Sequence, residues 1–99
     1  MFHSLLPEPK TVMNYLVFEV DAYPADTIRV QLEQQSNVQL MDYANYQRYK
    51  LGQKHDFIGG NVTKTPFMIK APHFAHWYVV VDLGGAAGSL KANVELIKG

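Results

Sequence analysis

The chain has 99 residues, enough to bury one core without covalent staples and too few for a second domain. Its nine basic and nine acidic residues cancel and lie scattered, so no stripe of Lys and Arg is available to neutralise phosphates, and nucleic acid is not an expected partner. Cysteine is absent, which excludes disulfides and thiolate metal sites and suits a reducing compartment. The apolar runs are strand length, well short of the roughly 20 residues that span a bilayer. The first dozen residues also lack the continuous apolar stretch of a secretory signal, so the expectation is a soluble, cytoplasmic protein with no membrane partner.

Residues 1–13 contain Pro7, Glu8 and Pro9 and show no sustained periodicity, which reads as an N-terminal extension outside the first strand, with Phe2, Leu5 and Leu6 available for docking. From residue 14 to 99 the chain reads as a single domain. Turn-forming residues recur at short intervals: Pro24, Ser36-Asn37, Gly52, Gly59-Gly60, Pro66, Pro72 and Gly84-Gly85. The runs between them are rich in Val, Ile, Tyr and Phe, the pattern of an all-β fold.

The strands can be taken in order. Asn14 to Val20 is apolar on both faces except at Glu19, so it reads as a central strand or one covered by the extension. Thr27 to Glu33 alternates cleanly, with Ile28, Val30 and Leu32 inward. Asn37 to Tyr43 points Val38 and Leu40 inward and leaves Asp42 at its inner end. Shorter strands are expected at His55 to Ile58 and Asn61 to Lys64, on either side of the two glycines. Pro66 to Ala71 buries Phe67 and Ile69, and Ser89 to Lys98 buries Leu90, Ala92, Val94 and Leu96. The total is about seven or eight strands, closing into one antiparallel β-sandwich or barrel.

One stretch breaks the alternation. Tyr43, Tyr46 and Tyr49 recur every three residues, which predicts a short helical turn ended by Gly52 in a left-handed cap. Placed across the open end of the sandwich, their rings either plug that end or form a stacking surface for a ligand.

The segment from His76 to Gly88 carries the most information. It predicts a central strand with Trp77, Val79, Val81 and Leu83 on one face and His76, Tyr78, Val80 and Asp82 on the other. A face bearing His, Tyr and Asp either covers a polar second layer or lines a binding surface. Asp42 and Asp82, each before an irregular segment, are expected to accept hydrogen bonds from loop N–H groups. Gly84, Gly85 and Gly88 are expected to turn the last hairpin, because no Lys-Ser/Thr follows to make a phosphate loop.

The markers Val38-Gln39-Leu40-Met41-Asp42, Asn45-Tyr46, Tyr49 to Gly52, Gly59-Gly60, Thr65-Pro66, and His76-Trp77 leading to Asp82-Leu83-Gly84-Gly85 together resemble the bacterial family numbered eighteen-eighty-three among domains of unknown function. The resemblance runs from Met13 to Ile97. It implies a small β-sandwich or barrel, found alone or, in longer members, ahead of a Toll/interleukin-receptor-type domain, hence a sensory or signalling association. It carries over no catalytic residue. The architecture is also loosely similar to pre-peptidase C-terminal domains, which are accessory binding sandwiches.

Catalytic chemistry finds little footing. His73 and His76 would point to opposite faces of an extended strand, and no neighbouring Cys or Glu completes a metal site, so no metal or other cofactor is expected. His76 and Asp82 lie six residues apart on one strand, roughly 20 Å at about 3.3 Å per residue, too far to work as a dyad. The expectation is therefore a non-catalytic recognition module that holds a small ligand or peptide against Tyr43, Tyr46, Tyr49, His55, Phe57, His76 and Tyr78, with Asp42, Trp77, Asp82, Gly84 and Gly85 as structural residues. The alternative is a structural module that forms a homo-oligomer through the same patch or an exposed strand edge.

Overall fold

Alternating apolar side chains need a second surface to cover them, and the chain meets this need with two antiparallel sheets packed face to face. The computed structural model describes residues 3–6, 10–12, 15–85, 88 and 90–99, with 3–5 and 10–12 described by their backbone pairing. In chain order the elements are β1 (His3–Leu5), β2 (Lys10–Val12), β3 (Tyr15–Ala22), β4 (Thr27–Leu32), β5 (Ser36–Met41), α1 (Tyr43–Lys50), β6 (Ile58–Val62), β7 (Phe67–Ile69), β8 (Ala75–Asp82) and β9 (Ala92–Ile97). One sheet runs β1-β9-β4-β7 and the other β2-β3-β8-β5-β6. The fold is an all-β sandwich with one helix.

The interior follows the period of two. Leu16, Phe18 and Val20 from β3, Val38 and Leu40 from β5, and Trp77, Val79 and Val81 from β8 meet Ile28, Val30, Ile69 and Val94 from the facing sheet. Burying each large aliphatic side chain contributes about 1.5–3 kcal/mol. A second cluster lies on the opposite face of the five-stranded sheet, where Tyr15, Val17, Tyr78, Val80 and Met41 are covered by Tyr46 of α1. This double coverage explains why Val79, Val80 and Val81 are all fully buried. The sequence reads the first long strand as central or covered by the extension and the His76 segment as central with one mixed face; β3 is flanked by β2 and β8, β8 is the middle strand, and its mixed face is covered by α1.

Three expectations need correction. The N-terminal segment is no mere appendage: β1 pairs with β9 and β2 with β3, so it gives each sheet an edge strand. Leu6 packs against the main core, while Phe2, the Pro7-Glu8-Pro9 stretch and the side chain of Leu5 lie outside what is described. Next, the two short strands expected around Gly59-Gly60 are one strand. In β6, which begins only at Ile58, Gly60 sits opposite Val38 and Gly59 opposite Gln39. Gly59 adopts φ +124°, and a Cβ there would strike the carbonyl of Val38. The glycine permits close backbone approach within the sheet and does not break the strand.

The third correction concerns the helix. It lies over the outer face of the five-stranded sheet, not across the open end, because the outward side chains of β3 and β8 are themselves apolar and need a cover. Asp42 starts it, its Oδ1 accepting from the Asn45 N–H at 2.9 Å. Arg48 and Lys50 occupy the last turn, where they complement the helix dipole. The Gln53 N–H closes the end on the Arg48 carbonyl at 2.9 Å, with Gly52 at φ +70°.

The last strand begins at Ala92, three residues after the expected start at Ser89, which lies outside the described residues. The glycines after β8 turn the chain, but not as the last hairpin expected from the sequence: β8 belongs to the five-stranded sheet and β9 to the four-stranded one, so the connection crosses between the sheets. Gly84 has φ +61°, its N–H donates to Asp82 Oδ1 at 2.9 Å, and a Cβ would crowd the Asn37 amide at 2.8 Å. Gly85 follows at φ +88°.

Candidate functional site

The pairing register sets out the outer face of the five-stranded sheet in rows. Tyr15, Asp82, Asn37 and Asn61 form one row, then Val17, Val80, Gln39 and Gly59, then Glu19, Tyr78 and Met41, and last Asp21 and His76. The helix runs back over the middle of these rows from the end of β5. Tyr46 stacks on Tyr78 with ring centroids 4.6 Å apart and an interplanar angle of 10°. Its hydroxyl lies 3.0 Å from that of Tyr15. Tyr49 meets Tyr15 edge to face at 5.1 Å and donates to Asp82 Oδ2 at 2.7 Å. Burial is the first cause of the raised pKa of Tyr46 and of Tyr49, strengthened by the Tyr15 hydroxyl and the Asp82 carboxylate respectively, so both phenols stay protonated.

All seven expected aromatic and histidine residues fall into one connected cluster. Tyr43 approaches Tyr78 at 6.0 Å, His76 approaches it at 5.3 Å, Tyr49 touches His55 at 5.4 Å, and His55 touches Phe57 at 5.5 Å. Their exposure divides them. Tyr46 and Tyr78 are 8% and 9% exposed, which favours packing for these two rings, although they fill the layer between helix and sheet and not a barrel end. Tyr43 and Phe57 are 61% and 43% exposed. Trp77 lies in the main core, its indole N–H donating to the His73 carbonyl at 3.2 Å.

Polar groups complete the face. Asp82 accepts from the Asn37 amide at 3.0 Å as well as from Tyr49 and Gly84, and Asn37 in turn accepts from Asn61 at 3.1 Å. His55 places Nε2 2.8 Å from Gln39 Oε1 and Nδ1 3.1 Å from the Gln53 carbonyl. Both carboxylates singled out from the sequence therefore accept backbone N–H bonds beside a chain reversal. Sequence reasoning missed Tyr15, Asn37 and Gln39. Their only signal was parity, since each lies on the outward set of its strand.

His76 stands apart from this network at the far end of β8. Its Nε2 is 2.8 Å from Glu19 and its Nδ1 2.7 Å from Asp21. The hydrogen bond to Glu19, then that to Asp21, raises its pKa above the ordinary value. The charged form is thus favoured by folding. The stabilisation is fully present below the unfolded histidine value of about 6.5 and fades as pH rises through the raised folded value. The ring is half exposed, so the effect is small and salt-sensitive. The expected result is that His76→Gln lowers Tm more at about pH 6 than at about pH 9. An equal loss at both pH values would show that the ion pairs contribute nothing. Among the described residues no group of three or more His, Cys, Asp or Glu is placed to hold a metal ion.

A cleft of about 200 Å³ opens where the start of α1 meets the approach to β6. Leu40, Trp77, Phe57 and Ile58 give it apolar walls, and Asp42, Asn45 and Asp56 stand among its lining residues. The Asp56 N–H donates to Asn45 Oδ1 at 2.9 Å, which ties the loop before β6 to the helix and sets Asp56, an exposed residue, in the cleft lining. Of the expected ligand-contacting residues, Phe57 alone lines this cleft. Sequence reading missed Asp56 and Asn45 because the cleft is assembled by the helix folding back on the sheet. Among the described residues no helix is long and apolar enough to cross a membrane.

A family model described as Domain of unknown function (DUF1883) matches residues 13–99. No curated protein and no solved structure matches the chain.

Proposed function

We propose a recognition role for this chain, which belongs to the DUF1883 family: the cleft beside α1 takes a small ligand or peptide side chain that has an apolar stem and a cationic head. The observation that carries this reading is the union in one concavity of apolar walls from Trp77, Leu40, Phe57 and Ile58 with two acidic residues, Asp42 and Asp56, in its lining. Apolar walls take up the stem, and carboxylates bordering a low-dielectric surface favour an ammonium or guanidinium. Size narrows the class. At about 200 Å³ the cleft is smaller than the roughly 300–1,000 Å³ of drug-sized sites, so it suits an alkylamine or a lysine-like side chain and not a nucleotide.

What supports a non-catalytic role is the state of His55 and His76. All four ring nitrogens of His55 and His76 already lie within 3.1 Å of amide, carbonyl or carboxylate oxygens, and neither ring lines the cleft. A general base needs a free acceptor within reach of its substrate.

The test is an NMR titration of the 15N-labelled chain with n-butylammonium chloride, with n-butanol as the neutral control. Binding is expected to shift the Trp77 indole N–H and the amides of Asp56 and Ile58, and to weaken in Asp56→Asn. Equal response to the alcohol, or shifts confined to other surfaces, would overturn the reading.

A further inference from the structure

We infer that Asn45 determines the charge specificity of the cleft, as the positioning residue that brings Asp56 into one lining with Asp42; the inference rests on the ligand reading above. The two acids have separate origins. Asp42 is the N-cap of α1, whereas Asp56 lies in residues 51–57, the irregular stretch between α1 and β6. Among the described residues, the side chain that joins them is Asn45. Its Nδ2 donates to Asp42 Oδ1 at 2.9 Å, and its Oδ1 accepts from the Asp56 N–H, also at 2.9 Å. Arg48 Nη1 donates to the same Oδ1 at 3.2 Å. With two donors on its oxygen and a carboxylate beside its nitrogen, the Asn45 amide can face only one way.

This arrangement divides the cleft into two parts. Leu40, Ile58 and Trp77 belong to β5, β6 and β8, so the pairing of the sheet sets these apolar walls without help from Asn45. Asp56 is exposed and lies outside any helix or strand, and among the described residues the bond to Asn45 is its one hydrogen bond. The acidic share of the lining therefore depends on a single side-chain amide. Asn45 also leaves Asp42 able to act, because its N–H and its Nδ2 both bond Oδ1, and Oδ2 keeps its acceptor capacity. Two acidic residues in one cleft of about 200 Å³ repel each other when both are ionised. A cationic head relieves that repulsion and a neutral head does not, so holding Asp56 in place is what selects for charge.

Two variants of the full 15N-labelled chain, Asn45→Ala and Asn45→Asp, test this through two readouts: titration with n-butylammonium chloride and the water-exchange rate of the Asp56 amide. Asn45→Ala removes the acceptor. The Asp56 amide is expected to exchange faster and binding to weaken by about fivefold, the worth of one hydrogen bond. Asn45→Asp keeps an oxygen for the Asp56 N–H and adds a negative charge, so it is expected to retain the native exchange rate and to bind at least as tightly as the native chain. A residue that only braces the helix start would not split the two variants in this way. If the native chain binds and Asn45→Ala binds equally well, or both variants lose binding alike, the assignment to Asn45 is overturned while the ligand reading stands. If the native chain itself does not respond to n-butylammonium, the ligand reading falls and this inference falls with it.

Discussion

Tyr46→Ala is expected to destabilise the fold by about 3–5 kcal/mol, the range for deleting a buried aromatic ring. Tyr46 is the one helical residue buried between α1 and the sheet, stacked on Tyr78, approached by Tyr15 and covered by the Lys50 ammonium 4.8 Å above its ring. Removing it opens a cavity in a layer the helix cannot collapse into, because Asp42 and the Gln53 to Arg48 hydrogen bond fix both helix ends. Since small domains are stable by only about 5–15 kcal/mol, this loss should be plain in urea unfolding. Tyr43→Ala, at a largely exposed ring of the same helix, is expected to stay within about 0.5 kcal/mol. The contrast separates packing from surface: a loss at Tyr46 no larger than that at Tyr43 would mean that the helix is not anchored to the sheet by this ring.

Gly59→Ala is the second large effect. A non-glycine residue at φ +124° costs on the order of 1–3 kcal/mol in backbone strain alone. Here the new methyl group also meets the Val38 carbonyl, and the obstacle is backbone, not a side chain that can swing away. Relief requires β6 to separate from β5. The expected loss is about 3 kcal/mol or more, with faster hydrogen exchange at the β5 amides that face β6. Gly60→Ala is the control, because its φ of +154° is strained but no atom lies within 4 Å of the added Cβ. If the two variants unfold at the same denaturant concentration, the close approach at Gly59 has no energetic weight.

The glycine pair also shows where the sequence stops being legible. Gly-Gly commonly marks a turn, and nothing local in HDFIGGNVTK reveals a carbonyl from a strand some 20 residues earlier. Alternation, by contrast, located the core faces of β4, β5, β8 and β9, because period-two burial is a local property of a pleated strand. The helix was legible from the tyrosine spacing and Gly52, but its position was not. The clue lay in the outward residues Tyr15, Val17, Tyr78 and Val80, which are too apolar for a wet face. Asp26 was missed altogether. It is only 3% exposed because it accepts from the Tyr23 N–H at 2.9 Å, from the Gly99 N–H at 3.2 Å and from Lys98 at 3.4 Å. The Tyr23 hydrogen bond, foremost among these contacts, holds its carboxyl below the usual range despite burial. Its partners in residues 98 and 99 are more than 70 positions distant, beyond the reach of any motif. The candidate cleft was illegible for the same reason, since its walls come from β5, α1, β8 and the loop before β6.

The place of β8 bears on how the molecule assembles. It is the middle strand of the larger sheet, yet its neighbours β3 and β5 precede it by dozens of residues, and β4 waits similarly for β9. Among the described residues only β2 with β3, and β5 with β6 across the helix, join near neighbours in sequence. During synthesis the first seventy residues therefore expose strands whose partners do not yet exist, and closure depends on the arrival of Trp77 to Asp82. Folding governed by such distant contacts is expected in the millisecond-to-second range typical of β-sandwiches.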